Sequence, residues 1–360
     1  MFADEHGHGT TSSPPPDQLR RNAVRTALRI ALLSLGLALF GWFLHRAGPK
    51  EVLTAFAKLG WLAPVVLLPY GVVYVVDTLG WHFAFGQRLT HGLGFWTLFR
   101  IRWAGEAINN VIPSVYVGGE AVKVYLLRKR SVPTLNAAAS VVIGRTAQTL
   151  SQVMFILSGS IALVCLASEG PSLAIGIVVI ILGGCLAVAI LFAIQRHGIF
   201  SIATKVTQRL NLRIRSLAAN REKWQGIDRQ IWEFYARETK QFFLSTGTYL
   251  SGWLLDTVEI FVVAPLMGVP IHWNQALAVE AFVGVAKVLG LFVPGALGVQ
   301  ESSIVFLCRT VGLPEGFGVA YAILRRGREA VYAFVGWLLV YSDEVRLKDL
   351  ASGSVLESKN

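Results

Sequence analysis

Two stretches of this chain, set 181 residues apart, carry the same uncommon residues in the same order. The first runs from Pro113 through Gly118 and Gly119 to Glu120, and the second from Pro294 through Gly295 and Gly298 to Glu301. Beyond each glutamate the match continues without a gap: Val124 with Val305, Leu126 with Leu307, Arg128 with Arg309, Pro133 with Pro314, Ala139 with Ala320, Arg145 with Arg326. Apolar matches mean little in an apolar chain, but proline, glutamate and arginine matches mean more. A repeat built around Pro/Gly breaks and charges inside apolar sequence asks for two like-built halves, and it is a sequence sign of a membrane transporter.

Composition fixes the solvent. The 360 residues are 54% hydrophobic and only 15% charged, against about 25% charged in soluble domains. Such a chain cannot cover its apolar surface with water-facing side chains, so its class is all-α integral membrane protein. The net charge of +11 fits lysines and arginines gathered in cytoplasmic segments and beside anionic headgroups. No soluble basic face is present for nucleic acid, so none is expected as a partner. Cys165, Cys185 and Cys308 have no paired spacing and read as small packing residues, not as a disulfide framework or a metal site.

Apolar length places spans near 28–45, 61–82, 136–165, 172–195, 242–267 and 317–341. Segments 93–130 and 274–311 are apolar but broken by charges, Pro and Gly, and each reads as a re-entrant helical hairpin. Broken backbone is tolerated at membrane depth only where protein or a water-filled cavity surrounds it. Residues 1–26 read as a disordered, basic cytoplasmic N-terminus. The first membrane half is 27–195, the second is 242–345, and 346–360 is a cytoplasmic tail. Between the halves, 196–241 holds ten Lys/Arg against four Asp/Glu. Ile202, Val206 and Leu210 recur there at helical spacing, as do Trp224, Ile227 and Ile231, and such a helix is expected on the anionic inner-leaflet surface. Basic clusters put both termini in the cytoplasm. Three spans then separate the hairpins, which makes the repeat inverted in the membrane. Lys50, Lys58 and Arg309 on the outer side run against this assignment.

Charges within spans are costly and need a reason. The repeat pairs Glu120 with Glu301 and Arg145 with Arg326, and it sets Lys287 at the position equivalent to Glu106. Equivalent residues of an inverted repeat meet near the midplane, so one central polar cluster is expected from these six. Pro113 and Pro294 stop helices at the hairpin tips. Gly118, Gly119, Gly295 and Gly298 let the backbone turn there. The helix N-termini just past the tips point free N–H groups inward, a place for an anion such as phosphate. Arg145 and Arg326 add planar donors suited to that anion. The competing reading is that Glu–Arg pairs only lock the hairpins. For Asp256 and Glu259, proton coupling and neutral burial are both open.

The run Asn109-Asn110, Pro113, Gly118-Gly119-Glu120, a basic cluster after it, Arg145 in the next span, and then Pro294-Gly295, Gly298, Glu301 and Arg326, resembles the membrane region of lysylphosphatidylglycerol synthases. That region also occurs alone in flippase-like membrane proteins, some of them hopanoid-associated. The resemblance covers about 25–345 and implies movement of lipid across the bilayer, with aminoacyl transfer left to a separate soluble domain. Gln300 stands where the first copy has Gly119, so the second hairpin departs from the Gly-Gly-Glu pattern. The expectation is a bacterial inner-membrane, multi-pass, non-enzymatic protein without a cofactor. It is expected to move a phosphate-bearing, aminoacylated or hopanoid-type lipid between leaflets. A secondary transporter for a small anion and a membrane partner of a lipid-modifying enzyme stand as alternatives.

Overall fold

The computed structural model describes residues 57, 60, 63–88, 93–111, 117–166, 171–198, 221–289, 296 and 298–342. The span near 28–45, the basic terminus, Ile202, Val206, Leu210, Pro113, Pro294 and Gly295 lie outside these residues. Ten α-helices follow in order. They are α1 (Ala63–Phe85), α2 (Phe95–Val111), α3 (Val117–Lys129), α4 (Thr134–Leu166) and α5 (Pro171–His197). Then come α6 (Arg221–Arg237), α7 (Thr239–Leu266), α8 (Trp273–Leu289), α9 (Val299–Thr310) and α10 (Glu315–Ser342). Helices stand at five of the six predicted spans, as α1, α4, α5, α7 and α10. Val65–Phe85 of α1, α4 and α7 are long and apolar enough to cross a membrane.

Each predicted hairpin is a pair of packed helices, α2 with α3 and α8 with α9. Their lengths are 17, 13, 17 and 12 residues. At 1.5 Å per residue each reaches about 18–26 Å, short of a hydrocarbon core of about 30 Å.

The 181-residue offset extends to the elements themselves. Phe85 ends α1 and Leu266, its equivalent, ends α7; Thr134 opens α4 and Glu315 opens α10. The stops after α3 and α9 share their closing bonds. Val132 N–H donates to Leu127 O at 3.1 Å and Leu313 N–H to the equivalent Cys308 O at 2.8 Å, around a left-handed Ser131 (φ 63°) and Gly312 (φ 78°). This is the 6→1 helix stop that a left-handed residue permits, and Pro133 and Pro314 follow it in turn.

Packing exchanges elements between the copies: α1 lies on α7, α2 on α10, and α8 on α4. The partners run antiparallel. Along α1 and α7, Ser245 Oγ donates to Gly80 O at 2.7 Å, and a Cβ on Gly252 would meet Asp77. Trp103 and Ala107 of α2 lie against Gly336 of α10, and Ala281 of α8 lies against Gly159 of α4. Glycines at these crossings let the backbones approach closely, as in membrane helix pairs generally.

The distribution of polarity is that of a membrane protein. Arg102, Arg325, Arg326, Arg328, Glu259 and Glu280 are buried, whereas Leu68, Ile161, Leu182 and Phe306 are more than 60% exposed. Water outside would favour the opposite; lipid favours this.

The linker contributes a correction. Within α6 the stripe Ile227, Ile231 and Phe234 is fully buried in the core shared with α4 and α7. The apolar face that sequence periodicity assigned to an anionic leaflet is therefore covered by protein. Packing against α4 offers that stripe a fixed partner, and the charged face is what remains outside.

Candidate functional site

In the first half the polar side chains come from α1, α2 and α3. Arg102 Nη2 donates to Asp77 Oδ2 at 2.5 Å. Lys123 Nζ lies between Glu106 and Glu120, donating to each at 3.0 Å. Asn109 Oδ1 accepts from Gly119 N–H at 2.8 Å, so the first turn of α3 is capped from α2. A Cβ on Gly119 would stand 2.2 Å from Gly105 O and 2.4 Å from the Asn109 side chain, so only glycine fits this crossing. Asn110 is exposed and outside the network.

In the second half they come from α7 to α10. Arg325 Nη1 donates to both oxygens of Glu280, at 2.5 and 2.6 Å, and the Tyr321 hydroxyl donates to the same carboxylate at 2.7 Å. Arg326 grips Glu301 through Nε and through Nη2, the latter at 2.9 Å. It also donates to Glu329 Oε2 at 2.8 Å and to Ala296 O, beside the tip, at 3.1 Å. Lys287 and Gln300 each donate to Glu329 Oε1 at 3.1 Å. Arg328 and Glu259 form a wholly buried ion pair. Gly298, at φ 82°, gives its N–H to Glu301 Oε2 at 2.8 Å.

The six residues expected in one cluster thus fall into two networks, one per half. Glu106 and Lys287 each bond inside their own half. The charge reversal between them is met by partners with no charged equivalent: Lys123 faces Glu106, whereas its equivalent is Ile304, and Glu329 faces Lys287, whereas its equivalent is Gln148. Arg145 Nη1 donates to Gln148 at 3.0 Å, the same i,i+3 bond that Arg326 makes to Glu329. Glu301 pairs with Arg326 as expected, but Glu120 pairs with Lys123. Lysine is three residues on, one helical turn away and on the same face. One N–H at each tip is taken, that of Gly119 by Asn109 and that of Gly298 by Glu301. Gln300, in the place of Gly119, has room for its side chain and ties α9 to Glu329.

An aromatic group joins the networks. Tyr70, Tyr74, Trp103 and Tyr332 pack ring to ring, with Trp103 stacked on Tyr332 at 5.3 Å and an interplanar angle of 24°. The Arg328 guanidinium sits 3.7 Å from the Tyr70 ring and that of Arg102 5.5 Å from Tyr74. Such contacts favour a cation away from water. Sequence reading missed Asp77, whose signal was a single acid inside an otherwise apolar span. It also missed the tyrosines, which carry no such signal.

The family model for the lysylphosphatidylglycerol synthase TM region matches residues 27–336, through both copies of the repeat. A relative, a UPF0104 membrane protein of Pyrococcus horikoshii, is 22% identical over 272 residues, covering 73% of this chain and 81% of the relative.

Proposed function

This chain belongs to the lysylphosphatidylglycerol synthase TM-region family, and from that premise we propose that it moves a polar-headed lipid between the leaflets of a bacterial inner membrane. The matched region is the membrane part of those synthases, so the role is transport and not catalysis. The observation that carries the reading is a set of buried charges enclosed by an apolar outer surface. Ionisable groups inside a membrane mark a path for polar cargo.

The repeat is read as inverted, with α2–α3 and α8–α9 as re-entrant hairpins. Support comes from the antiparallel packing of the equivalent helices α1 and α7, and from hairpin helices too short to cross. The cargo headgroup is phosphate-bearing, aminoacylated or hopanoid-type. Arg145 and Arg326 are the arginines assigned to an anionic headgroup, Arg326 being held by Glu301 and Glu329 until cargo arrives. Glu106 and Glu120 are assigned to hold Lys123, or a cationic part of the cargo in its place. Glu301, Arg326, Lys287 and Gly298 are assigned to the second tip and Asn109, Gly118 and Gly119 to the first; Pro113, Pro294 and Gly295 keep the tip role proposed for them from the sequence. Asn110, exposed, is assigned no contact with cargo.

The test is leaflet exchange of labelled lipids in liposomes carrying the purified protein. The lipid set spans anionic, zwitterionic, aminoacylated and hopanoid species. Exchange that falls at least tenfold in Arg145→Ala and Glu120→Gln is expected. Folded wild-type protein that exchanges none of these lipids refutes the proposal.

A further inference from the structure

The two networks differ in their charge balance. Among the described residues, the first holds three acids (Asp77, Glu106, Glu120) and three cations (Arg102, Lys123, Arg145). The second holds five acids (Asp256, Glu259, Glu280, Glu301, Glu329) and four cations (Lys287, Arg325, Arg326, Arg328). Four of the five acids are paired: Glu259 with Arg328, Glu280 with Arg325, Glu301 with Arg326, and Glu329 with Lys287 and Arg326. Asp256 is left over. It makes no ion pair among the described residues, and its Oδ1 is buried without a hydrogen-bond partner.

Asp256 as a whole is only partly buried, and three helices bring polar groups towards it. From α10, Arg325, Arg328 and Tyr321 face it; from α8, Glu280 and Lys287; from α1, Asp77 and Tyr70. Glu259 lies on its own helix, three residues on. The nearby guanidiniums already hold Glu259 and Glu280, and Asp77 on the facing helix is a second carboxylate within electrostatic reach. Gly252, one turn before Asp256, has Asp77 packed against it, so the two acids lie at the same level of the α1–α7 crossing. The guanidiniums facing Asp256 are shared with Glu259 and Glu280, so a carboxylate there keeps an unbonded buried oxygen and repels Asp77 and Glu280, and protonation relieves that repulsion.

We infer that Asp256 is a proton-binding site, neutral while α1 and α7 are packed together and releasing its proton when they part. This rests on the transport reading above and supplies its energy source: proton release and uptake at Asp256 would tie cargo movement to a proton gradient. The step is a simple loss and gain of H⁺ at one carboxyl oxygen, and no other reactant is needed. Glu259, by contrast, is assigned to structure by its pair with Arg328.

Two measurements test it. Infrared difference spectra of the purified protein between neutral and alkaline pH should show the carbonyl stretch of a protonated carboxylic acid. That band should vanish in Asp256→Asn, shift in Asp256→Glu and persist in Asp77→Asn. A wild-type spectrum without the band, or a band untouched by both Asp256 variants, overturns the proton site. In liposomes, wild-type lipid exchange should change severalfold on imposing a pH gradient, with the sign following the gradient, and Asp256→Asn should lose that dependence. Exchange that ignores the gradient overturns the coupling while leaving lipid transport intact. Absence of any exchange overturns the transport reading instead, and the infrared band then decides the proton site alone.

Discussion

Removing the Glu280 charge gives the most direct measure of what the buried pairs contribute. Glu280 is 3% exposed and Arg325 4%, and the carboxylate accepts three contacts from two groups, two from Arg325 Nη1 and one from the Tyr321 hydroxyl. Glu280→Gln leaves a buried guanidinium without its main counter-charge, which typically costs 3–5 kcal/mol. Glu329 remains 3.8 Å from Arg325 Nε and softens the loss, so about 3 kcal/mol is expected. Arg325→Met strands the carboxylate, still bonded to Tyr321, and should cost a similar ~3 kcal/mol. Removing both charges strands neither, so the double variant should be no worse than either single one. That predicts a coupling energy of roughly 3 kcal/mol in the cycle. Tyr321→Phe, which deletes one bond to a charged group, should cost about 1.5–3 kcal/mol. Reversible unfolding in mixed micelles, followed by loss of helical signal, reads all four. Singles that add in the double variant to within ~0.5 kcal/mol would refute the account of the pair as mutual neutralisation.

Other sites yield further expectations. A Cβ on Gly159 would lie 2.1 Å from that of Ala281, so Gly159→Ala should destabilise by about 1–3 kcal/mol, and Ala281→Gly in the same chain should recover most of it; thermal unfolding in detergent checks both. Gly119→Ala meets backbone at 2.2 Å and should cost at least as much, whereas Gly247→Ala, with nothing within 4 Å, should be neutral or stabilising in the same assay. Arg130→Cys and Glu315→Cys, made after replacing the exposed Cys165 and Cys185, should react from opposite sides of intact cells with a membrane-impermeant thiol reagent; labelling from one side alone would sink the inverted repeat.

The element plan was legible because it rests on rules of short range. Apolar runs, the two Pro/Gly breaks and the repeat itself located the helices at five of the predicted spans and both helix pairs. The glutamate–arginine pair of the second half was legible too, since Glu301 and Arg326 stand out as charges in apolar sequence. Two things were hidden. Which partner a charge selects depends on three-dimensional reach, so Lys123, one turn from Glu120 and facing Glu106, took the place offered to Arg145. The lipid-seeking character of an amphipathic stripe is also ambiguous in sequence. Ile227, Ile231 and Phe234 satisfy a protein groove as well as a leaflet, and only the neighbouring α4 decides between them. Asp77 was overlooked because one acid in a 23-residue helix scarcely alters its average polarity.

The ion pairs named above each close within one half of the molecule, while the contacts between halves include glycine crossings, stacked rings, the Arg328 guanidinium on the Tyr70 ring and single hydrogen bonds such as Trp103 Nε1 to Tyr332 O at 2.9 Å. Sliding one half past the other therefore separates none of the ion pairs named above. The barrier to such a movement is set by dispersion contacts and ring stacking, which re-form after a small displacement, and not by charge separation in lipid, which would be prohibitive. Each half can carry its own electrostatics along as ballast, and the seam between them is free to act as a bearing.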